Sequence, residues 1–509
     1  MKQFGLLFCA FFCVMSVWGT ELAHFPKNSF FFGVATAPAQ VEDGLEDTWL
    51  DFAHQKKIAA YENHYAPEER LRFWTEYKRE IDLIASTGVQ VFRLGVDWGR
   101  LVPERPDYKT CSVSGGVQDK NALLHYDEII DYAKSKNLKV MMTLFHHSAP
   151  RWFNETGGWT QKYASDCFVK FSQDVIKHFS DRVSYWITFN EPALYNLFVT
   201  VGGFWPPGFS PARNYELISI PGIYKGRFER SNLAMVSAHK RLFSYIHNDL
   251  KIETPVGIAH NIGYHMPTNY LSLASVYLTR QFMNYHFMDM IADKVDFMGL
   301  NYYGAEYLRG LGSILQEGVE YSDSGRAIYP YGLYALLKDF NNRYNRHFTN
   351  RKTRNQLPII ITENGIAETG DTLRPSYMIE HLLAIKQAMR EGINVLGYIV
   401  WTITDNLEWT DGYCPQFGLF AVDRKNNLER IPRPYSVPLI KSLTKTGIIT
   451  SDERDSAWNR VELAQNSGAL RTMCRSEDGQ TALDVPILKY YVKQDWRFAP
   501  NRPLHFVYQ

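Results

Sequence analysis

The stretch that decides the fold is Pro358-Ile-Ile-Ile-Thr-Glu-Asn-Gly365. A short run of apolar and β-branched residues that closes on Asn-Gly is typical of a buried parallel strand ending in a turn. Glu363 would then lie at the carboxyl end of that strand, where α/β proteins place their chemistry. Taken alone, this glutamate could also be a structural residue that caps a helix or pairs with an arginine.

A second segment of the same kind is Tyr185-Trp-Ile-Thr-Phe-Asn-Glu-Pro192. It is another apolar and aromatic run, and it ends in Asn190 and Glu191 before a proline. Two carboxyl groups that face one pocket can carry out glycoside hydrolysis, with one as the acid and the other as nucleophile or base. The alternative is that the two glutamates are structural and unrelated.

Six further segments repeat this strand pattern, and helical patterns separate them. Apolar residues at helical spacing, such as Trp74, Tyr77, Ile81 and Ile84, predict helices that pack on a sheet. The eight predicted strands are Phe31–Ala37, Val89–Val96, Lys139–Phe145, Ser184–Asn190, Pro255–Asn261, Val295–Tyr303, Leu357–Asn364 and Asn394–Thr402. Buried strands that alternate with amphipathic helices predict an α/β fold, a (β/α)8 TIM barrel.

The alternative fold is a doubly wound sheet, but no Gly-x-Gly-x-x-Gly follows the first predicted strand. The connections after strands four and six are long, and loops of that kind in a barrel shape the substrate mouth. The chain has no internal repeat and no low-complexity linker. We therefore expect one barrel domain over residues 25–447, with residues 448–509 as an appendage packed on it.

Composition limits the classes of partner. Of 509 residues, 45% are hydrophobic, enough for a large core, and the net charge is +1. A charge this close to zero argues against a nucleic-acid or polybasic membrane partner. Aromatic residues make up 15% of the chain. Trp and Tyr stack on the apolar faces of sugars, so this fraction mildly favours a carbohydrate enzyme.

The N-terminus has the features of a secretory leader. Lys2 precedes an apolar run from Phe4 to Val17, and small residues follow it. The run is shorter than the ~20 residues that a membrane-spanning helix needs. We predict a signal peptide over residues 1–19 and a secreted or extracytoplasmic location. An uncleaved N-terminal membrane anchor is the alternative.

Beyond the leader the chain keeps four cysteines, Cys111, Cys167, Cys414 and Cys474. They allow three pairings or none, and their spacing does not match a metal site. We predict neither a metal nor a cofactor. One glycosylation sequon begins at Asn154 and would matter in a eukaryotic secretory route.

The predicted strand ends are rich in polar and aromatic side chains. A lone His or Trp among them would usually be a satisfied core residue. As a set at one end of the barrel, they predict a single polar and aromatic pocket. The set comprises Gln40, Arg93, His146, His147, Asn301, Tyr303, Trp401, Glu408 and Trp409.

The motifs Thr188-Phe-Asn-Glu-Pro192 and Ile361-Thr-Glu-Asn-Gly365 resemble the two catalytic motifs of family 1 glycoside hydrolases, the β-glucosidase and β-galactosidase family. The resemblance runs from about Phe30 to Ser436. It implies that Glu363 is the nucleophile and Glu191 the general acid/base. It also implies sugar-binding roles for Gln40, His146, Asn190, Trp401, Glu408 and Trp409, and supporting roles around the nucleophile for Arg93, Asn301 and Tyr303.

The chain departs from the usual family pattern beside the subsite histidine. A Trp commonly follows that histidine, whereas this chain has His147 and Ser148, and we expect His147 to open one wall of the sugar site. The alternative is that His147 turns away and only packs behind the third strand. Segments such as Leu144–Ser148 and Ser322–Arg326 resemble one branch of the family, the galactolipid galactosyltransferases of plant chloroplast envelopes. Those plant enzymes carry His where this chain has Gln40, the usual hydrolase residue.

Acid catalysis by Glu191 requires a proton at working pH, so we expect burial and the neighbouring carboxylate to raise its pKa. We expect Arg93 and Tyr303 to keep Glu363 ionised. Glu363 would then form a glycosyl-enzyme while Glu191 protonates the leaving oxygen.

Three functions fit the residues. The first is a retaining β-glycosidase that hydrolyses β-glucosides or β-galactosides. The second is a galactolipid galactosyltransferase that uses the same two glutamates. The third is a sugar-binding pseudoenzyme without catalysis. The expected partner is a small-molecule or lipid-linked β-glycoside, and the lipid-linked case would bring peripheral membrane association.

Overall fold

The structure, a computed structural model, describes residues 19–58, 68–107, 111–208, 225–310, 312–346, 356–474 and 483–493. Eight parallel strands close into a barrel in which each strand pairs with the next and the eighth pairs with the first. They are β1 (Phe31–Ala35), β2 (Val91–Gly95), β3 (Lys139–Thr143), β4 (Val183–Asn190), β5 (Val256–Asn261), β6 (Phe297–Asn301), β7 (Ile359–Asn364) and β8 (Val395–Val400). The predicted (β/α)8 barrel is confirmed, and each strand lies within or overlaps its predicted segment.

The strands are apolar on both sides because both sides are covered. Each strand contributes an apolar residue to a separate cluster inside the barrel, against which Phe31, Tyr185 and Leu396 also pack, while many of the outward-facing strand side chains belong to the larger cluster under the helices. The inner residues are Ala35, Val91, Met141, Ile187, Ala259, Phe297, Ile360 and Ile399. This double burial explains why the strands appear in the sequence as continuous apolar runs instead of alternating ones.

A helix follows each strand and returns the chain to the other end of the barrel. The eight helices are α1 (Phe73–Ser86), α2 (Lys120–Ser135), α3 (Ala164–Phe179), α4 (Arg227–Ser244), α5 (His286–Ile291), α6 (Pro330–Asn341), α7 (Leu373–Arg390) and α8 (Ser436–Thr446). The Trp74–Ile84 stripe lies in α1 as expected. Gly88 follows the end of α1 at φ 77°, a left-handed conformation that glycine adopts without strain.

Shorter helices and strands lie in the connections between the barrel strands and helices and in the two terminal segments. The short α-helices are Pro38–Val41, Thr48–His54, Trp98–Leu101, Cys111–Ser114, Arg151–Glu155, Pro192–Leu197 and Ser272–Thr279. Single turns of 3-10 or π helix are Gly158–Thr160, Phe198–Gly202, Tyr245–Asp249, Arg280–Tyr285, Ala292–Lys294, Asn342–Arg346 and Trp409–Asp411. The strands outside the barrel are Glu21–His24, Tyr264–Pro267, Ala305–Arg309, Gly312–Ile314, Phe420–Asp423, Glu429–Pro432, Ile448–Thr450, Leu470–Met473 and Leu483–Pro486. Part of the long connection after β4, residues 209–224, lies outside the described residues.

The C-terminal segment packs against the barrel helices. Helix α9 (Ser451–Ser467) begins with a capping box formed by Thr450 and Glu453. It packs on α7, where the buried Glu380 carboxylate accepts hydrogen bonds from Arg454 and from the Trp458 indole. The domain boundary at residue 447 stays a prediction. It falls directly before Ile448–Thr450, which pairs with Glu21–His24 ahead of the barrel.

Two disulfides select one of the pairings that the sequence left open. Cys111 pairs with Cys167, and Cys414 pairs with Cys474. The second bridge ties the loop after β8 to the C-terminal segment. The sequon residue Asn154 is only 4% exposed, and its amide donates to the Thr48 hydroxyl at 3.0 Å.

The predicted signal peptide lies almost entirely in residues 1–18, outside the described part of the chain. The N-terminal anchor proposed as its alternative falls there too. Among the residues that the structure describes, no helix has both the length and the apolar character needed to cross a bilayer.

Candidate active site

Both motif glutamates reach one pocket at the carboxyl end of the barrel. Glu363 lies near the end of β7, and Glu191 directly follows β4. The backbone of Glu191 is left-handed at φ 44°, as is that of the pocket residues His147 at 61° and Trp409 at 53°. A left-handed backbone at residues other than glycine costs free energy and clusters at functional sites.

The Glu363 carboxylate is held from two sides. Arg93 Nη1 donates to Oε1 at 2.5 Å, and the Tyr303 hydroxyl donates to Oε2 at 2.6 Å. Burial nevertheless raises the pKa of Glu363 to about 7. The neighbouring Glu191 carboxylate raises it further, and the Arg93 charge and the Tyr303 hydrogen bond lower it by less than these two effects raise it. At pH 7 Glu363 is therefore close to half ionised.

Glu191 lies in a more polar environment. The side-chain amides of Asn301 and Asn261 donate to its Oε1 at 2.9 and 3.2 Å, and His147 Nε2 lies 3.7 Å from its Oε2. Burial alone would raise the pKa of Glu191, but the His147 ring and the two amides together lower it below its ordinary value.

These two shifts run opposite to the expectation from sequence, in which Glu191 held the raised pKa and Glu363 stayed ionised. The physical reason lies in the surroundings of the two groups: the His147 ring and the amides of Asn301 and Asn261 outweigh burial at Glu191, whereas burial outweighs Arg93 at Glu363. Between the two pKa values the pair of carboxyl groups holds one proton. Acid catalysis requires this proton on Glu191 and an ionised Glu363 beside Arg93. The pair has the same total charge in both arrangements, and only the position of the proton differs.

Asn190 links the two glutamates to the histidines. Its Oδ1 accepts hydrogen bonds from Arg93 Nη2 at 2.6 Å and from Asn301 at 3.1 Å. Its amide nitrogen faces the Nε2 atoms of His146 and His147 at 3.0 and 3.2 Å. Burial lowers the pKa of both histidines, with the Arg93 charge acting in the same direction. His146 is consequently a neutral imidazole near pH 7.

The aromatic and acidic residues after β8 form another wall of the pocket. Trp401 Nε1 donates to Glu408 Oε1 at 3.2 Å, and both side chains line the cavity together with Trp409. Burial raises the pKa of Glu408 well above its ordinary value, although the hydrogen bond from Trp401 opposes that shift.

The other predicted site residues lie deeper. Arg93 and Asn301 are fully buried beneath the glutamates and contact them directly. Gln40 is also fully buried. It donates to the Leu407 carbonyl at 2.6 Å and is not among the residues that line the cavity. Its Oε1 has no hydrogen-bond partner among the described residues.

Several cavity residues were not selected from the sequence. Asn261 ends a predicted strand, and that position alone could have marked it. The others come from connections whose path the sequence pattern does not define. They are Leu194, Phe198, Trp205, Ser324, Arg326, Thr410, Asp411, Pro415 and Phe417. No group of three or more potential metal ligands occurs in the described ranges.

The model of glycosyl hydrolase family 1 matches residues 22–294 and 279–446. The chain belongs to this family. As a family 1 member it is a glycoside hydrolase that acts on O-glycosyl bonds.

Among its relatives, a chloroplastic galactolipid galactosyltransferase of Arabidopsis thaliana is 37% identical over 93% of this chain and 82% of its own length. A chloroplastic β-glucosidase-like protein of Oryza sativa subsp. japonica is 36% identical over 93% of this chain and 84% of its own.

Solved structures of the family share the fold. A β-glycosidase from Pyrococcus horikoshii superposes with a TM-score of 0.71 at 25% identity, over 86% of this chain and 98% of its own. A β-glucosidase from Thermotoga maritima in complex with deoxynojirimycin gives a TM-score of 0.71 at 25% identity, over 84% of this family 1 hydrolase and 99% of its own chain.

Proposed function

We propose that the protein is a retaining β-glycosidase that hydrolyses terminal β-glucosides or β-galactosides. The observation that carries the proposal is one hydrogen-bonded network that holds two buried carboxyl groups in one pocket. Arg93 bonds Glu363 and Asn190, and Asn301 bonds Asn190 and Glu191. A shift of either glutamate would disturb the other, so the two are positioned as a unit.

In the first step the Glu363 carboxylate attacks the anomeric carbon. The bond to the leaving oxygen breaks while Glu191 transfers its proton to that oxygen. In the second step Glu191, now a carboxylate, takes the proton of an incoming hydroxyl group. The oxygen of that hydroxyl attacks the anomeric carbon and releases Glu363. With water as the incoming group, the product is the free sugar.

The proposed sugar ligands are the polar groups around these carboxyls. His146, Asn190, Glu408 and Trp409 would bond the hydroxyl groups, and Trp401 would lie under the ring. Gln40 would bind through its unpaired Oε1, which a hydroxyl group reaching that depth would satisfy. Arg93, Asn301 and Tyr303 would support the nucleophile without touching the sugar.

The second candidate is transfer of the sugar to a galactolipid by the same two glutamates. It is favoured by the two plant relatives, one of them a galactolipid galactosyltransferase, which match 93% of the chain. In this case the second step uses a lipid-linked hydroxyl group in place of water, and the protein would associate peripherally with a membrane. Both candidates share the glycosyl-enzyme and differ only in the acceptor.

We further propose that the protein works in an oxidising compartment outside the cytosol, as a secretory leader over residues 1–19 would require. Two disulfides in one chain support this, because disulfides persist in oxidising environments and are rare in the cytosol.

The test is to incubate the protein with aryl β-glucosides, aryl β-galactosides and a monogalactosyl lipid, and to measure free sugar and oligogalactolipid together. Glu363→Ala should abolish both products. Glu191→Ala should preserve the turnover of activated aryl substrates better than that of poor leaving groups, because a good leaving group needs little proton donation. Equal losses on both kinds of substrate would contradict the role of Glu191. Binding without turnover of any substrate would indicate a pseudoenzyme.

A further inference from the structure

One wall of the pocket is a tight turn in the connection after β6. The Ser322 N–H donates to the Arg326 carbonyl at 2.8 Å, and the Arg326 N–H donates to the Ser322 hydroxyl at 3.1 Å. Ser324 and Arg326 both line the cavity, and the Arg326 guanidinium forms an ion pair with Glu306. The turn therefore presents a serine side chain and a guanidinium held by its ion pair to the pocket.

Asp323 fixes this turn to two other parts of the chain. Its buried carboxylate accepts hydrogen bonds from Arg471 Nη1 at 2.5 Å and from the Thr369 N–H at 2.8 Å. Its own N–H donates to the Ala367 carbonyl at 2.9 Å, and its carbonyl accepts from the Cys474 N–H at 2.7 Å. The turn is thus bonded to the loop after β7 and to the C-terminal segment.

Arg471 makes the side-chain part of the attachment to the C-terminal segment. Its side chain is only 8% exposed, and it also donates to the Glu320 carboxylate and to the Tyr321 carbonyl. The second oxygen of Glu320 accepts from the Leu488 N–H at 2.7 Å. Hydrogen bonds between a guanidinium and carboxylates are strong and directional. One buried cation therefore holds both Asp323 and the residues that lead into the turn.

The same segment is joined to a second wall of the pocket. Cys474, which donates to Asp323, is disulfide-bonded to Cys414 in the loop after β8. Pro415 and Phe417 of that loop line the cavity. The C-terminal segment therefore connects two walls of the pocket, although none of its own described residues lines the cavity.

Ser324 and Arg326 do not belong to the residues proposed above to hold the transferred sugar, so they face the space left for the acceptor. Resting on the proposed retaining mechanism, we propose that Arg471 is a positioning residue for acceptor choice. It holds Ser324 and Arg326 where they bond a polyhydroxyl group of the acceptor. Because Glu306 balances the charge of Arg326, this wall suits an uncharged sugar or glycerol headgroup better than an anion.

The chemistry is that of the second step of the proposed mechanism. The acceptor oxygen bonds to the anomeric carbon, the bond from that carbon to Glu363 breaks, and the hydroxyl proton passes to Glu191. Water competes for the same intermediate. The ratio of transferred to free sugar therefore reports how well the acceptor is placed, independently of how fast the glycosyl-enzyme forms.

The experiment measures this ratio with an aryl β-glycoside as donor and with two acceptors added separately. Methyl 1-thio-β-galactoside carries the polyhydroxyl group and has a sulfur-linked aglycone that resists hydrolysis, whereas 1-butanol carries only the reacting hydroxyl. In Arg471→Met the ratio for the thiogalactoside should fall by at least about 5-fold, because a small misplacement of a positioning group can cost up to about 100-fold. The butanol ratio should stay at the wild-type value.

Arg454→Met is the matched control. It breaks another ion pair between the C-terminal segment and the barrel, 2.8 Å from Glu380, and neither residue lines the cavity. It should leave both ratios unchanged. Arg471→Lys keeps the charge but not the planar fork that bonds two carboxylates, so it should show the same selective loss to a smaller degree. This variant keeps the test available if Arg471→Met does not fold.

An unchanged thiogalactoside ratio in the Arg471 variants overturns the proposal. Equal falls with both acceptors also overturn it, because a loosened pocket would affect both alike. Ser324→Ala leaves the bonds of Arg471 in place and should lower the thiogalactoside ratio selectively; an unchanged ratio there, or a wild type that transfers no sugar to the thiogalactoside, overturns it as well. Failure of the proposed function would appear separately, as a wild type that releases no sugar from any aryl β-glycoside.

Discussion

Removal of Arg93 should lower activity and move its basic limb to higher pH. Its guanidinium is fully buried and donates to Glu363, to the Thr362 carbonyl, to Asn190 and to Thr143. With this charge in place the pKa of Glu363 is about 7, and below that pH the two carboxyl groups hold one proton, which the proposed mechanism requires on Glu191. The loss of an adjacent opposite charge raises a carboxyl pKa by about 1–3 units.

In Arg93→Ala the shared proton should therefore favour Glu363 over Glu191 by about 10- to 1,000-fold more than in wild type, and kcat/KM should fall by roughly the same factor. The basic limb, at which the pair loses this proton, should move up with the pKa of Glu363. Arg93→Lys keeps a positive charge but loses the planar guanidinium that donates to Glu363 and Asn190 together, so it should move the limb less.

Arg430→Ala is a matched control for folding. Arg430 forms another buried ion pair, 2.5 Å from Glu80 and away from the pocket. At pH values above the pKa of the carboxyl group that loses its partner, breaking either buried pair should lower the free energy of unfolding by roughly 3–5 kcal/mol. At lower pH that carboxyl group can take up a proton, and the loss should be smaller. Urea unfolding measures this cost. Both variants should be destabilised, and only Arg93→Ala should shift the basic limb. An unshifted limb in Arg93→Ala would refute the assignment of Arg93 as the group that keeps Glu363 ionised.

Three further changes test the scaffold. Glu380→Gln should lower the free energy of unfolding by roughly 3–5 kcal/mol, because it removes the buried carboxylate that pairs with Arg454. The control is Glu462→Gln at an exposed position of the same helix as Arg454, which should change the free energy of unfolding by less than about 0.5 kcal/mol in the same urea titration. Cys414→Ser should lower the free energy of unfolding by about 2–5 kcal/mol, seen as a lower thermal midpoint that matches reduced wild type more closely than oxidised wild type. Asn154 should carry no glycan after secretion from a eukaryotic host, because its amide is buried against Thr48; intact-mass measurement with and without endoglycosidase checks this, and a mass loss on treatment would contradict the buried position.

The positions of the strands could be predicted from the sequence because a fully buried parallel strand has a simple sequence pattern. Ile359–Asn364 is buried at every residue, so its apolar run is continuous and its end is marked by polar residues. The barrel then brings all eight carboxyl ends to one edge. For that reason the meeting of Glu191 and Glu363 in one pocket followed from the strand assignment and the motifs, without knowledge of any side-chain contact.

The distribution of protons could not be predicted in the same way. It depends on which side chain lies within a few ångströms of which oxygen, and strand order does not define that distance. His147 lies 3.7 Å from Glu191 because its backbone is left-handed and its ring is stacked on Tyr195 from the short helix after β4. Gln40 illustrates the same limit. Strand order placed this residue at the pocket but could not show that its side chain lies behind the residues that line the cavity.

In the proposed mechanism, hydrolysis and transfer would differ at the mouth of the pocket and not at its floor. Glu363 would form the same intermediate in both reactions, and Glu191 would accept a proton from whichever hydroxyl group lies near it. One part of the mouth is apolar, with Phe198 and Trp205, while Arg326 adds a charged group that is paired with Glu306. An apolar wall favours an acceptor with its own apolar surface over water, and the charged group can orient sugar hydroxyls. The ratio of free sugar to transferred sugar therefore measures how long an acceptor stays in the mouth, and it can change without any change in the rate at which Glu363 is glycosylated.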